Sequence, residues 1–428
     1  MNPRVIRFMK ISLPVSTFSL LLLSACAGEG YAEDGLTDNN TPVNSDVSDT
    51  TSNTAKKDEN KNGKSKLLSF KATIKSDLKS FKNIDKEKDK ATQQYNGAKN
   101  KPITVSRHAQ KIENKVIYAN KSNNCGININ GYNDVQIKNV TIYHANTGVC
   151  ANNAKRLKIS GLKLVSLAAP TTGPHCPRSS KDGLSTAECW GQINQPADSR
   201  LGISLKSSPN ANISNFASFQ ASSGVYAIDS PQTTLSKIRC YDMRGPFPRG
   251  QCVQFNRSSD SSITTFYAKN VINQSHSEDN INAYLSDNIK VSNGLIDGNW
   301  STHGMGIIAD KGSDNMQIQD VDFLNISTAA VNVWSNDPSQ TGKNFRATRL
   351  RIKNTQCFSR KGGKPSTSGL IIAAQPHAIN PNFSDIRWFN HCRSSTTWCL
   401  PGQGCRKNNT GSLINFRQED FKTRWTFE

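Results

Sequence analysis

The sequence predicts an all-β fold: a right-handed parallel β-helix of about nine to ten coils, with an N-terminal amphipathic helix, preceded by a disordered tether. Three observations predict it. A short motif recurs from residue 101 onward, as in Ile137-Lys138-Asn139-Val140, Ile159-Ser160-Gly161-Leu162, Ile213-Ser214-Asn215-Phe216, Ile318-Gln319-Asp320-Val321 and Ile352-Lys353-Asn354-Thr355. Its third position holds mainly Asn, Asp or Gly, which tolerate the left-handed backbone of a sharp bend. A second column precedes each bend, as in Gly126-Ile127, Gly148-Val149, Gly224-Val225, Asn280-Ile281, Gly304-Met305 and Gly369-Leu370. Coils of this kind cannot bury their apolar side chains alone, and stacking them at the strand spacing builds a continuous core. The frequent two-residue turns that antiparallel hairpins of a β-sandwich would need are not found.

The chain ahead of the coils reads in three parts. In residues 1–26, Arg4, Arg7 and Lys10 precede a short apolar run from Ile11 to Leu23, and Leu23-Ser24-Ala25-Cys26 follows. This is similar to a lipoprotein signal, in which cleavage precedes Cys26 and its sulfur is acylated. Ala27, where sorting signals of this kind place Asp for retention, implies delivery to the outer membrane. Residues 27–65 are poor in large apolar side chains and read as a disordered tether, acidic first and lysine-rich from Lys56. In residues 66–100, Leu67, Phe70, Ile74, Leu78 and Phe81 fall on one helical face. A cap over the open end of the rod is favoured for this helix over a helix lying on an anionic surface.

Ten cysteines remain after Cys26, an even number that suits an oxidising compartment. Neighbour pairing would give Cys125–Cys150, Cys176–Cys189, Cys240–Cys252, Cys357–Cys392 and Cys399–Cys405, although sequence alone does not fix connectivity. No zinc-type spacing occurs, and no metal site is expected. No cofactor is expected either; calcium is left open, without a clear ligand cluster.

Chemistry in such a rod sits on an outer face, where successive coils form ladders. Counted from the second column, Gln251, Asp279 and His303 share one position, with Arg249 two residues further back and Glu278 between. A carboxylate orienting an imidazole beside an arginine suits acid–base work; a polar ladder that satisfies turn hydrogen bonds is the competing reading. Arg257, Tyr284, Trp300 and Lys311 are candidate substrate contacts, with Trp334 and Tyr267 as further stacking surfaces.

Arg244-Gly245-Pro246-Phe247-Pro248-Arg249 resembles the R-x-P-x-x-R signature of pectate lyases, which implies Arg244 as base and Arg249 as support. More broadly, Gly245-Pro246-Phe247-Pro248-Arg249-Gly250-Gln251, Glu278-Asp279-Asn280-Ile281-Asn282 and Ile296-Asp297-Gly298-Asn299 resemble bacterial β-helix proteins of the pectin-lyase-like superfamily.

Charge adds a partner class. The 428 residues carry 53 Lys+Arg and 33 Asp+Glu, a net of +20, and residues 101–428 alone carry a net of +16. A basic rod outside the cytoplasm suits an anionic polysaccharide better than nucleic acid. The composition argues against a multi-pass membrane protein, a cytosolic metabolic enzyme and a collagen-like chain. The expectation is an envelope lipoprotein acting on a uronate-type polysaccharide by β-elimination. A non-catalytic glycan binder or adhesin is the first alternative. A glycoside hydrolase pairing Asp279 with Glu278, Asp297 or Asp310 is the second.

Overall fold

The computed structural model describes residues 55–167, 200–245, 249–272, 274–275, 277–299, 305–334, 339–355, 372–374, 378–391 and 412–419. It divides at Lys57/Asp58 into two units, and the account below is of the second. Among the described residues there are two parallel sheets. Sheet A has ten strands, running from Ile103–Thr104 through Asp279–Tyr284 and Met305–Asp310 to Ile372–Ala374. Sheet B has twelve, running from Lys111–Ala119 through Thr234–Tyr241 to Arg417–Gln418. Successive strands of the chain alternate between the sheets, and each strand pairs with its counterpart one coil on. This is the right-handed parallel β-helix.

The recurring motifs are explained by this geometry. In sheet B, the third motif position is a left-handed bend inside the strand: Asn139, Gly161, Asn215, Lys237, Thr265, Asn293, Asp320, Arg349 and Asp385 have φ between 50° and 69°. The bend turns one strand into two faces of the rod. In sheet A, the glycine column lets adjacent backbones approach. A Cβ at Gly202, Gly224 or Gly306 would stand 2.4–2.5 Å from a carbonyl oxygen of the next coil. The following residues, among them Val149, Ile203, Val225, Val253, Ile281, Ile307 and Val331, point inward and are fully buried or nearly so. They stack in register to form one core column.

Three strands differ from the sequence register. The bend expected at Asn354 lies at Arg349, because Leu350 rather than Thr355 pairs with Val321. Asn354 belongs instead to a second left-handed column at the strand ends, where its amide donates to Asn325 Oδ1 and accepts from Asn390. The sheet A column continues at Gly306-Ile307 rather than Gly304-Met305, since Ile307 pairs with Ile281. At the next coils Val331 pairs with Ile372 rather than Leu370. A two-residue slip keeps the in–out alternation of a strand, so both registers satisfy the hydrophobic pattern.

Helix α1 (Ala55–Lys82) and helix α2 (Ile84–Tyr95) are separated at Asn83, whose side chain donates back to the Lys79 carbonyl. Their apolar stripe does not close the end of the rod. Phe70, Ile74, Ile84 and Ala91 pack on the outer face of sheet B, against Tyr143, Val165, Phe219, Tyr241, Tyr267 and Leu295. Those sheet residues are large and apolar where a solvated strand face would be polar. The attachment is electrostatic as well. Asp77 accepts from Arg239 Nε at 2.6 Å and from the Tyr241 hydroxyl at 3.3 Å. Glu87 accepts from Lys163 at 2.6 Å and from the Tyr143 hydroxyl at 3.1 Å.

Two of the expected disulfides are present, Cys125–Cys150 and Cys240–Cys252. Cys26, Cys176, Cys189, Cys357, Cys392, Cys399 and Cys405 lie outside the described residues.

Arg239 is 4% exposed, so Asp77→Ala leaves a buried guanidinium without its carboxylate. We expect a loss of about 3 kcal/mol in urea unfolding, with most of it recovered in Asp77→Ala/Arg239→Met. A loss below about 1 kcal/mol would show that the ion pair does not hold the helices.

Candidate functional site

Parallel register converts each position along a sheet A strand into a row across the outer face. One row reads Tyr226, Gln254, Asn282, Ile308, Asn332. The next, two residues further along each strand, reads Ile228, Asn256, Tyr284, Asp310, Trp334. Neighbours in a row lie about 4.8 Å apart. The strand ends behind the second row are fixed by a serine ladder. The amides of Ser208, Ser230, Ser258 and Ser286 donate to the hydroxyls of Ser230, Ser258, Ser286 and Ser313, at 2.9–3.0 Å. Ser313 also donates to the Asp310 carbonyl.

Three carboxyl groups converge at these rows. Asp279 is 2% exposed; its two oxygens accept from Asn282 Nδ2 at 2.9 Å and from the Met305 amide at 3.0 Å. Glu278 accepts from Gln251 Nε2 at 3.0 Å, and Gln251 in turn accepts from the Ser223 hydroxyl. Asp310 is partly buried between Tyr284 and Trp334, and its Oδ1 has no hydrogen-bond partner.

Burial and mutual repulsion set the protonation of the cluster. Burial, then the charges of Asp279 and Asp310, push Glu278 well above the usual carboxylate range, against the pull of Arg249. Burial raises Asp279 to about 8, with Asp310 adding to the rise. Burial raises Asp310 to about 6, opposed by Lys311 and by a hydrogen bond from Asn282. At neutral pH the Glu278–Asp279 pair therefore keeps a proton while Asp310 is ionised. The arrangement holds a proton donor and a carboxylate base on one face.

The sequence candidates are distributed as follows. Arg249 joins the cluster: its guanidinium lies 4.2 Å over the Tyr226 ring and donates to Gln254 Oε1. Arg244 sits at the end of a sheet B strand, where it donates to Asp242 Oδ2 at 2.6 Å and to Gln274 at 2.8 Å. Arg257 makes a bidentate pair with Asp229 on an exposed turn. Tyr284 lies in the second row, and Lys311 immediately follows it at Asp310. Tyr267 is under the helices, and Asp297 is on sheet B with Lys269 and Asn325. His303 and Trp300 lie outside the described residues. The rung beside Asp279 that the sequence reading gave to His303 is Met305. Gln254, Asn282 and Asn332 were missed, although each directly follows the apolar residue of the second column. Among the described residues, no group of three or more His, Cys, Asp or Glu could hold a metal ion.

Sheet B carries a groove of about 430 Å³ bordered by Asn293, Asp320, Asp322, Arg349, Arg351 and Arg387. Its charges are matched internally, with bidentate Arg349–Asp320 and Arg351–Asp322 pairs.

No protein-family model matches the chain, and no curated protein matches it in sequence. Solved structures similar to it include three enzymes or phage proteins. The catalytic domain of a GH87 alpha-1,3-glucanase in complex with tetrasaccharides shares 11% identity over 76% of this chain and 57% of that one, with a TM-score of 0.43. A tailspike protein of E. coli bacteriophage HK620 in complex with a hexasaccharide shares 10% over 79% and 61%, at 0.43. An exopolygalacturonase from Thermotoga maritima shares 10% over 73% and 83%, at 0.40. The chain thus spans under two thirds of the glucanase and tailspike chains. The β-helix itself rests on the strand register described above.

A carboxyl raised by folding stabilises the protein below its unfolded value, and this stabilisation is lost as pH rises through the folded value. For Asp310 the window is from about 4 to about 6. The melting temperature of Asp310→Asn relative to the parent should therefore climb from pH 4 to pH 6 and level off above. A difference that is flat across this window would show that Asp310 titrates normally.

Proposed function

We propose that this chain is a polysaccharide-processing enzyme that hydrolyses glycosidic bonds on the outer face of sheet A. The observation that carries the reading is the convergence of Glu278, Asp279 and Asp310 with protonation held apart by their surroundings. Glycoside hydrolysis needs one carboxylic acid to protonate the leaving oxygen and one carboxylate to activate water or attack the sugar. Glu278 is the acid, more open to solvent than Asp279 and beside Arg249. Asp310 is the carboxylate. Asp279, with both oxygens occupied, orients Asn282 and keeps Glu278 protonated.

Tyr284 and Trp334 flank Asp310 in the second row and are partly exposed, which suits stacking on sugar faces. A glycan lying over this row runs along the rod axis. The net charge of +16 over residues 101–428 attracts an anionic polymer before it reaches the site. β-Elimination through Arg244 is less well supported, because that guanidinium is engaged with buried Asp242. A lipid anchor on Cys26, followed by the part of the 27–65 tether that precedes helix α1, would hold the enzyme at the outer membrane with freedom to reach polymer.

The test is a panel of acidic polysaccharides assayed for new reducing ends and for the ultraviolet absorbance of unsaturated uronate. We expect reducing ends without absorbance, with kcat reduced on the order of 10³-fold in Glu278→Gln and in Asp310→Asn. Absorbance that rises with cleavage, or full activity in Asp310→Asn, would overturn hydrolysis by this pair.

A further inference from the structure

We propose that Asn282, Ile308 and Asn332 form an acetamido-binding subsite, so that the polymer carries an N-acetylated amino sugar beside the cleavage point. The proposal rests on the glycan-processing reading above and names a feature of its substrate.

The first row is the argument. Asn332 is 1% exposed, and neither Oδ1 nor Nδ2 of its side chain has a hydrogen-bond partner. Its neighbours along the strand, Val331 and Val333, point into the core, so Asn332 faces the outer side of sheet A. Two rungs away, Asn282 gives its Nδ2 to Asp279 and leaves Oδ1 without a partner at 1% exposure. Ile308 pairs in register with both and lies between them on the same face. A buried amide without partners is costly and is retained where a ligand completes it.

The order across the row is an acceptor, an apolar surface, then a donor. An acetamido group presents the complement: an N–H, a methyl and a carbonyl oxygen. The outer residues are two strand spacings apart, about 9.6 Å. An amide making one hydrogen bond at each end spans about 8 Å between the protein atoms. No side chain of this row is charged, and Asp310 borders it. A second carboxylate here would meet repulsion, so this position takes a neutral group. The anionic sugar expected from the net charge belongs to another position of the polymer.

The experiment uses Glu278→Gln, to prevent turnover, and ligand-observed saturation-transfer NMR. The probes are N-acetylglucosamine, N-acetylgalactosamine and N-acetylmannosamine, each against its parent hexose. We expect at least one N-acetyl sugar to receive saturation most strongly at its methyl protons, with little transfer to the hexoses. Adding Asn332→Leu should weaken that binding about tenfold. It should also leave the melting temperature unchanged or higher, because an unpaired buried amide is removed. Equal transfer to hexoses, no transfer to any probe, or a lower melting temperature in the Leu variant would overturn the subsite. Failure of hydrolysis is read separately, by the absence of reducing ends, and would leave acetyl-selective binding intact.

Discussion

The backbone ladder between coils is the constraint on which the rest depends. Every strand pairs with its counterpart one coil away in parallel register, so any side chain position becomes a row along the rod. The left-handed bends in sheet B and the glycine column in sheet A keep that register from coil to coil. Core columns, the serine ladder and the outer rows are three consequences of the same alignment. The site is therefore placed by rigid strands rather than by loops.

The rod also explains how an unfavourable cluster is tolerated. Burying three carboxyl groups close together opposes folding, and so does an unpaired amide such as Asn332. The continuous aliphatic and aromatic core supplies the compensating burial. On sheet B, by contrast, the buried charges Arg239 and Asp322 are matched, by Asp77 of the helices and by Arg351 of the next coil. Among the described residues, the buried carboxyl cluster lies on the sheet A side, where function is expected.

Much of the fold was legible, because the bend and column motifs report backbone geometry directly. Asn139, Asn215, Asn293 and Asp385 were read correctly as bends. Asn354 was misplaced because the second left-handed column, five residues on from Arg349, also carries Asn. The slip at Gly304-Met305 arose because a strand pattern of period two cannot fix register to better than two residues. That slip matters chemically: it put His303 on the rung held by Met305. The helix was legible as amphipathic, but its partner surface was not, since Tyr143, Phe219 and Tyr241 lie far apart in sequence and form a face only after stacking. Glu278 and Asp279 stood out as adjacent acids. The part played by Asp310 and the amide row needed the correct pairing of the Met305–Asp310 strand.

The central claim is that folding splits the protonation of these carboxyl groups. Isotope-edited NMR of the Asp and Glu side-chain carboxyl carbons across pH tests it most directly, with Glu278→Gln, Asp279→Asn and Asp310→Asn for assignment. The account predicts that Asp310 titrates near pH 6, while the Glu278–Asp279 pair retains a proton past neutrality, with Asp279 near 8. Titration of all three near pH 4, as in free side chains, would contradict it.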